Sequence, residues 1–452
     1  METLLVIKVL VMGAVFSRSL VQEYPVAAHA SGMYIYDDNG KAYLDMCGGA
    51  AVSCLGHSHP DVLAVLHQQL DEMAFAHTAF FSNDPQEKLA DMIASRFGEQ
   101  GTRVYFSSGG SEANETALKM AWQYWRAEGR PGKTKIISRE HSYHGNTLGA
   151  LSVSGNLARR RTLDGLLREW PRIAPCYAYR HKAEAETNIE YGIRAANELE
   201  EAILRAGADT VAAFIVEPVV GASLGAVPAV EGYFKRIREI CDTYDVLLIA
   251  DEIMCGTART GSFFAHEQEG ILPDIVTLAK GIGGGYLPLA ATVVRKNMAD
   301  RFSKKASQFD HGHTYVGHAT ACAAGVAVLD VIEKYQLIGA VNTKGLLLND
   351  ALEQAFAGHK NVGDIRGRGL FRAIEFVADP SRKTPLDDGP AVAKKLKSRA
   401  MDNGLMCYPN GGLARDGLSA HILLAPPFIL ETGHISEMVE KLSITVDEVF
   451  SG

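Results

Sequence analysis

The sequence predicts an α/β protein, with a large domain built on a mainly parallel sheet and a smaller α+β domain built from both chain ends. Three observations carry that prediction. From about Pro85 to Leu329, short β-rich runs alternate with helical stretches, the pattern of βαβ units. After about residue 330 the alternation stops, and a long helical stretch leads into strands around a glycine-rich turn. Two apolar runs, Val246 to Ala250 and Ile275 to Ala279, end on Asp251 and Lys280. Sheets of this class hold ligands outside the carboxyl ends of their strands, so charged residues there are candidate chemistry.

The elements follow in chain order. Leu4 to Phe16 is apolar apart from Lys8, but Glu2 precedes it in place of a basic cluster. Arg18 follows without a small-x-small cleavage site, and the run is too short to span a bilayer. It reads as an N-terminal helix or extended start, with Met12 a second plausible initiator and a targeting segment left open. Gly32 to Asp45 reads as a hairpin around Asn39-Gly40. Strand candidates are Arg103–Phe106, Lys135–Ser138, Val211–Val216, Val246–Ala250 and Ile275–Ala279. Between the third and fourth, Phe234, Ile237, Cys241 and Tyr244 recur at helical spacing and predict an amphipathic helix over Glu231–Tyr244. A small-residue helix is expected over Ala319–Val328, a long helical stretch over Val331–Phe356, strands over Val362–Phe376 and a helix over Pro390–Asn403. The expected division is an N-terminal segment, residues 1–60, packing with the small domain. The large domain then spans 61–330 and the small domain 331–452.

Composition bounds the function. The 452 residues are 47% hydrophobic and 22% charged, ordinary for a soluble enzyme. The formal charge of −8 gives no support for a nucleic-acid partner. Seven cysteines contain no Cys-x-x-Cys pair and read as free thiols in a reducing, cytoplasmic compartment, with no zinc site or disulfide framework.

Five motifs carry chemistry. Lys280 is followed at once by Gly281-Ile-Gly-Gly-Gly285, and Asp251 lies about thirty residues upstream. A lysine and an aspartate at the ends of neighbouring strands suit pyridoxal 5'-phosphate, which needs an amine for its aldehyde and an anion for its ring nitrogen. Ser107-Ser-Gly-Gly-Ser-Glu-Ala-Asn-Glu115 follows one strand and opens a helix running to about Trp125. Its Gly110 and Ser111 would present free N–H groups to a phosphate. In His141-Ser-Tyr-His-Gly-Asn-Thr147, Tyr143 could stack on a flat cofactor, with Gly145 allowing close backbone approach. Glu217 ends a further strand before Pro218, and Thr314 stands in His311-Gly-His-Thr-Tyr-Val-Gly-His318 with a hydroxyl to offer. Taken singly, each motif also has an ordinary reading: a capping box, a core aromatic, an ion pair, a surface polar run. Arg259, in the loop after Asp251, reads as well as a loop arginine bonding nearby carbonyls. Competing cofactor signatures fail, since Gly281 to Tyr286 lacks the last glycine of the dinucleotide fingerprint and no P-loop or His-Glu-x-x-His occurs.

Taken in order, from about Gly32 to Pro427, these motifs resemble the class III, fold-type I, pyridoxal-phosphate aminotransferases. The combination that carries the resemblance is Ser-Gly-Gly-Ser-Glu-Ala-Asn, Ser-Tyr-His-Gly, Glu-Pro, Asp-Glu, Arg-Thr-Gly, Leu-Ala-Lys-Gly and His-Thr-Tyr-x-Gly-His. The resemblance implies that Lys280 forms the Schiff base with the cofactor and that Asp251 pairs with its ring nitrogen. It further implies that Gly110 and Ser111 hold the phosphate, with Thr314 reaching it from a partner subunit. Tyr143 would stack on the ring and is counted with the catalytic residues. His144, Gly145 and Ile253 would border the cofactor, and Glu217 would lie near both substrate and cofactor. A homodimer or a dimer of dimers with shared active sites is implied, because the family builds its sites at a subunit interface.

The implied activity is amino transfer from a primary amine or ω-amino acid to a keto acid, with pyruvate the expected acceptor, by ping-pong kinetics. Lys280 would then serve as general base and acid. A same-fold racemase, decarboxylase or aminomutase is the alternative. In the ω-transaminase-like branch a bulky aromatic often precedes the first Gly-His; here Ala51 stands near that position, so a wider pocket is expected. Phe80 and Phe81 could line it, and Arg415 lies close to the place of the family's mobile, carboxylate-binding arginine.

Overall fold

A computed structural model describes residues 14–19, 22–306, 308–412 and 416–451. Most of the expected N-terminal run and Arg415 lie outside the described residues.

The central sheet has seven strands, in the order Arg103–Ser107, Ala290–Val294, Ile275–Leu278, Leu247–Asp251, Val211–Val216, Lys135–Arg139 and Arg172–Ile173. All five strands expected in this region are present. The inner three are buried along their whole length, which explains why they read as unbroken apolar runs instead of alternating ones. Ala290–Val294 was not expected and is the one reversed strand, antiparallel to both neighbours. Asp251 pairs in register with Thr277 of the adjacent parallel strand. The aspartate and Lys280, three residues beyond Thr277, therefore leave the sheet at the same edge.

Helices cover the sheet. Tyr233–Thr243 buries Tyr233, Phe234, Ile237, Ile240 and Cys241. Tyr244, expected on the same face, is instead its C-cap, and its hydroxyl donates to Glu200 Oε1 at 2.9 Å. The stretch after 319 is also divided differently from the expectation. One helix runs Ala319–Lys334 and a second Leu337–Phe356. The boundary is Gln336, left-handed at φ 50°, a conformation that costs a side-chain-bearing residue about 1 kcal/mol or more and turns the chain. The first of these helices is small-residued because it is buried nearly all round. A Cβ added at Gly325 would come within 2.7 Å of Leu89.

The hairpin Tyr34–Asp37 with Ala42–Asp45 forms as predicted, its turn fixed by Asp37 accepting from Asn39 N at 3.0 Å and Lys41 N at 2.9 Å. Strand Leu405–Met406 then pairs in parallel with Leu44–Asp45. The strands Val362–Arg368 and Phe371–Asp379 form the expected hairpin, joined to Ala420–Leu424 and Tyr408–Gly411 in a separate sheet. Helix Gly389–Asp402 is capped by Asp388 accepting from Ala391 N at 3.0 Å. Among the described residues no helix is long and apolar enough to cross a membrane.

Candidate active site

The carboxyl ends of the parallel strands open into a cavity of about 330 Å³ that brings together Gly110, Ser111, Tyr143, His144, Gly145, Glu217, Asp251, Ile253 and Lys280. Residues far apart in sequence converge there because each follows a strand of one sheet.

Asp251 is 3% exposed, and a carboxylate buried so deeply needs its lone pairs filled. Its Oδ2 accepts from Asn114 Nδ2 at 2.8 Å and from His144 Nδ1 at 2.8 Å, and its Oδ1 accepts from Ile253 N at 3.1 Å. Asn114 is fully buried; it also donates to His144 O at 2.6 Å and accepts from Thr277 Oγ1 at 2.9 Å. One amide thus ties helix Gly110–Ala127 to the His144 backbone and the two central strands. His144 Nε2 is buried without a partner among the described residues.

Lys280 closes the other side. It sits in the left-handed region at φ 50°, an unfavourable conformation of the sort that surrounding structure enforces at functional sites. Its Nζ donates to Ala50 O at 3.0 Å. Burial lowers its pKa from 10.5 to about 8; the Asp251 and Glu217 carboxylates oppose that shift and the Arg159 charge adds to it. Glu217 Oε1 accepts from Tyr143 N at 3.2 Å and Oε2 from Gly221 N at 2.8 Å. Burial pushes the Glu217 pKa up, opposed by His144 and Arg139 and reinforced by Asp251.

Helix Gly110–Ala127 begins at the floor of the cavity, and its N-cap Gly109 offers no side-chain hydrogen bond. The first-turn N–H groups and the positive end of the helix therefore face the cavity uncapped, an anion seat. Ser111 Oγ accepts from Asn146 N at 3.0 Å. Two glycines keep the seat open. A Cβ at Gly110 would lie 2.8 Å from Ile253, and one at Gly145, at φ 134°, would lie 2.7 Å from Ser111 Oγ.

Other predicted residues fall elsewhere. Ala51 is buried in a small apolar cluster, and its neighbours Val52 and Ala50 border the cavities instead. It stands in the left-handed region at φ 62°. Thr314 is exposed, as are Phe80 and Phe81 at 80% and 67%, and none lines this chain's cavity. Arg415 lies outside the described residues. Arg259 does bond carbonyls, donating to Leu370 O at 3.1 Å and Pro426 O at 2.5 Å. Glu252 accepts from His266 N and Nδ1, each at 2.8 Å, and stays out of the cavity.

Sequence reasoning did not single out Asn114 as the aspartate's holder, nor the loop Ala222–Gly225 as a wall. Asn114 was visible only as the last residue of the Ser-Glu-Ala-Asn run. The loop is held by three side chains from the sheet after residue 360. Arg366 Nε donates to Gly225 O at 2.7 Å, Asn410 Nδ2 to Ala222 O at 2.6 Å, and His421 Nε2 lies 3.0 Å from Ala222 O. Arg366 in turn contacts buried Glu375 at 2.7 Å, which Arg180 and the Tyr177 hydroxyl also reach.

One crevice of an α/β sheet thus brings together a lysine, an aspartate and an uncapped helix N-terminus. The chain belongs to the class-III aminotransferases, whose family profile matches residues 16–446. It is similar to an uncharacterized aminotransferase of Schizosaccharomyces pombe, with 40% identity over 93% of this chain and 92% of that one. It is also 36% identical to the diaminobutyrate–2-oxoglutarate transaminase of Halomonas elongata, over 94% of this chain and 90% of that one. Among solved structures, the omega transaminase of Pseudomonas jessenii in complex with PMP superposes with a TM-score of 0.89 at 32% identity, covering 95% of this chain and 93% of that one. The PMP-bound aminotransferase of Vibrio fluvialis gives 0.88, at 32% identity and the same coverages. The fold is that of the fold-type I transaminases.

Proposed function

We propose that this enzyme moves an amino group from a primary amine or ω-amino acid to a keto acid, with pyruvate as acceptor, in two half-reactions that share one site. The observation that carries the reading is the pair Asp251 and Lys280, delivered by adjacent parallel strands to one cavity.

The residues fit pyridoxal phosphate. Asp251 would hold the protonated ring nitrogen, with Asn114 and His144 fixing the carboxylate's orientation. The uncapped N–H groups at Gly110 and Ser111 would take the phosphate. Tyr143 would cover one ring face, with Gly145, Ile253 and Glu217 completing the enclosure. When bound, the cofactor supplies an aldehyde for the donor amine and a cationic ring that draws electrons from the reacting carbon. Lys280 supplies the proton traffic. With a pKa near 8 it can be neutral enough to take a proton from the donor carbon and acidic enough to return it. The largely buried wall behind it limits water.

A homodimer completes the reading. Phe75, Phe80, Phe81 and Tyr315 form an exposed aromatic patch, with the Phe75 and Tyr315 rings 5.7 Å apart. Apolar surface of this kind marks an association face. In the dimer, Thr314, Phe80 and Phe81 would reach the partner's cavity.

The test is purified protein loaded with pyridoxal phosphate and offered a panel of amino donors, with pyruvate and then 2-oxoglutarate as acceptor. Expected are a visible absorbance band, borohydride fixation on the Lys280 peptide and amino transfer that needs the keto acid. Protein without the band, with nothing fixed at Lys280, would sink the reading.

A further inference from the structure

Tyr143, Ala222, Met254 and Lys280 border a second cavity as well, an outer chamber of about 420 Å³ contiguous with the first. Its wall carries Arg159 from the short helix Leu157–Arg160, Lys397 from helix Gly389–Asp402, and Arg18 from the N-terminal stretch. Among the described residues no aspartate or glutamate lines it. Of three consecutive arginines, Arg160 is paired with Glu169 and Arg161 with Asp416. Arg159 has no carboxylate partner among the described residues. Its guanidinium instead lies 4.9 Å from the centroid of the Tyr143 ring, at the border of the two cavities. Lys397 likewise has no ion pair among the described residues and lies 6.0 Å from the Tyr24 ring.

Cations gathered around a concave space without counter-charge create a field that draws in anions. We propose that Arg159, backed by Lys397, is the specificity-determining residue of this enzyme, receiving a substrate carboxylate in the outer chamber while the reacting group lies at Lys280. The proposal rests on the transaminase reading above. The guanidinium fork can take a carboxylate in two parallel hydrogen bonds, and Asn156, Ser223 and Asn410 supply neutral polar groups beside it. Substrates would therefore be chosen for a negative charge as well as for their amine or carbonyl, and a plain amine would leave the chamber's charge unanswered.

The experiment compares 4-aminobutyrate with butylamine, the same chain without the carboxylate. Each is mixed alone with the loaded enzyme, and the loss of visible absorbance gives a second-order rate constant for the donor half-reaction. Wild type should prefer 4-aminobutyrate. Arg159→Gln should reduce that preference by about tenfold or more, the effect of losing one charge-assisted hydrogen bond, and Arg159→Lys should keep part of it. Calorimetric titration of the loaded enzyme with propionate, which cannot react, should show binding weakened to the same degree in Arg159→Gln. No preference in wild type, an unchanged preference in Arg159→Gln, or a preference lost only in Arg415→Ala overturns the proposal. Wild type inert to every donor would sink the transaminase reading, and the propionate arm would still decide the carboxylate site.

Discussion

If Lys280 is the amine that takes the cofactor, as proposed, its pKa would set how fast the empty enzyme captures it, and a pH series on cofactor-free protein tests this. Only the neutral amine attacks an aldehyde. With its pKa lowered from 10.5 to about 8, about one Lys280 in ten is neutral at pH 7, against about one in three thousand for an ordinary lysine. Capture at pH 7 should thus be faster by a factor of roughly 300 than an unperturbed amine in the same cavity would allow. The sign follows from burial, which disfavours the charged amine. Below about pH 8 the rate should climb close to tenfold per pH unit, and above it the rate should flatten, because nearly every Lys280 is already neutral. Stopped-flow mixing of cofactor-free enzyme with pyridoxal phosphate between pH 7 and 10, followed by visible absorbance, reads the curve. A rate still rising tenfold per unit beyond pH 9.5 would show that Lys280 keeps its ordinary basicity despite its burial.

Two further perturbations probe what holds the site. Asn114→Ala removes a donor from Asp251 and orphans His144 O and the Thr277 hydroxyl. A loss of roughly 2–4 kcal/mol is expected, read as a lowered melting temperature of cofactor-free protein together with weaker cofactor binding; wild-type values in both would refute the account. Arg366→Met strips Glu375 of one of its two arginines and frees Leu224 O and Gly225 O. It should destabilise by about 3–5 kcal/mol, and adding Glu375→Gln should recover part of that in urea unfolding. A double variant no more stable than Arg366→Met alone would show that the arginine acts through packing.

Lys280, Asp251, Glu217 and Tyr143 were legible because each interrupts an apolar run or follows one closely, and a parallel sheet converts that position into a place in the crevice. The helix N-terminus at Gly110 was legible for a similar reason, since two glycines after a strand announce a turn into a helix. Strand direction was not legible. Ala290–Val294 is as buried as Ile275–Leu278 beside it, and its reversal comes from the short connection after Lys280, which leaves no room for a crossover helix. The turn at Gln336 carries neither glycine nor proline, so no local signal marked it. Asn114 looked like any polar residue in a helix, because its role depends on Asp251, 137 positions away. The outer chamber was hidden most completely, since residues 18, 159 and 397 are ordinary surface cations until the fold assembles them.

The parallel pairing of Leu405–Met406 with Leu44–Asp45 has a consequence for the order in which the protein is made. Gly404 O and Met406 O receive Leu44 N and Met46 N at 3.0 and 2.9 Å, and Met46 O receives Ala425 N at 2.9 Å. The segment anchored this way runs straight into Ala50, whose carbonyl holds Lys280, and Val52, which lines the cavity. About 360 residues separate the pairing partners. At roughly 5–20 residues per second of synthesis, the early strand waits on the order of twenty to seventy seconds for its neighbour. The lysine and the aspartate can be in place on the central sheet well before then, but the wall opposite them is laid last. A nascent chain interrupted before residue 405 would carry Lys280 without the surface that shelters it, so a closed cavity is itself a mark of a chain made past that strand.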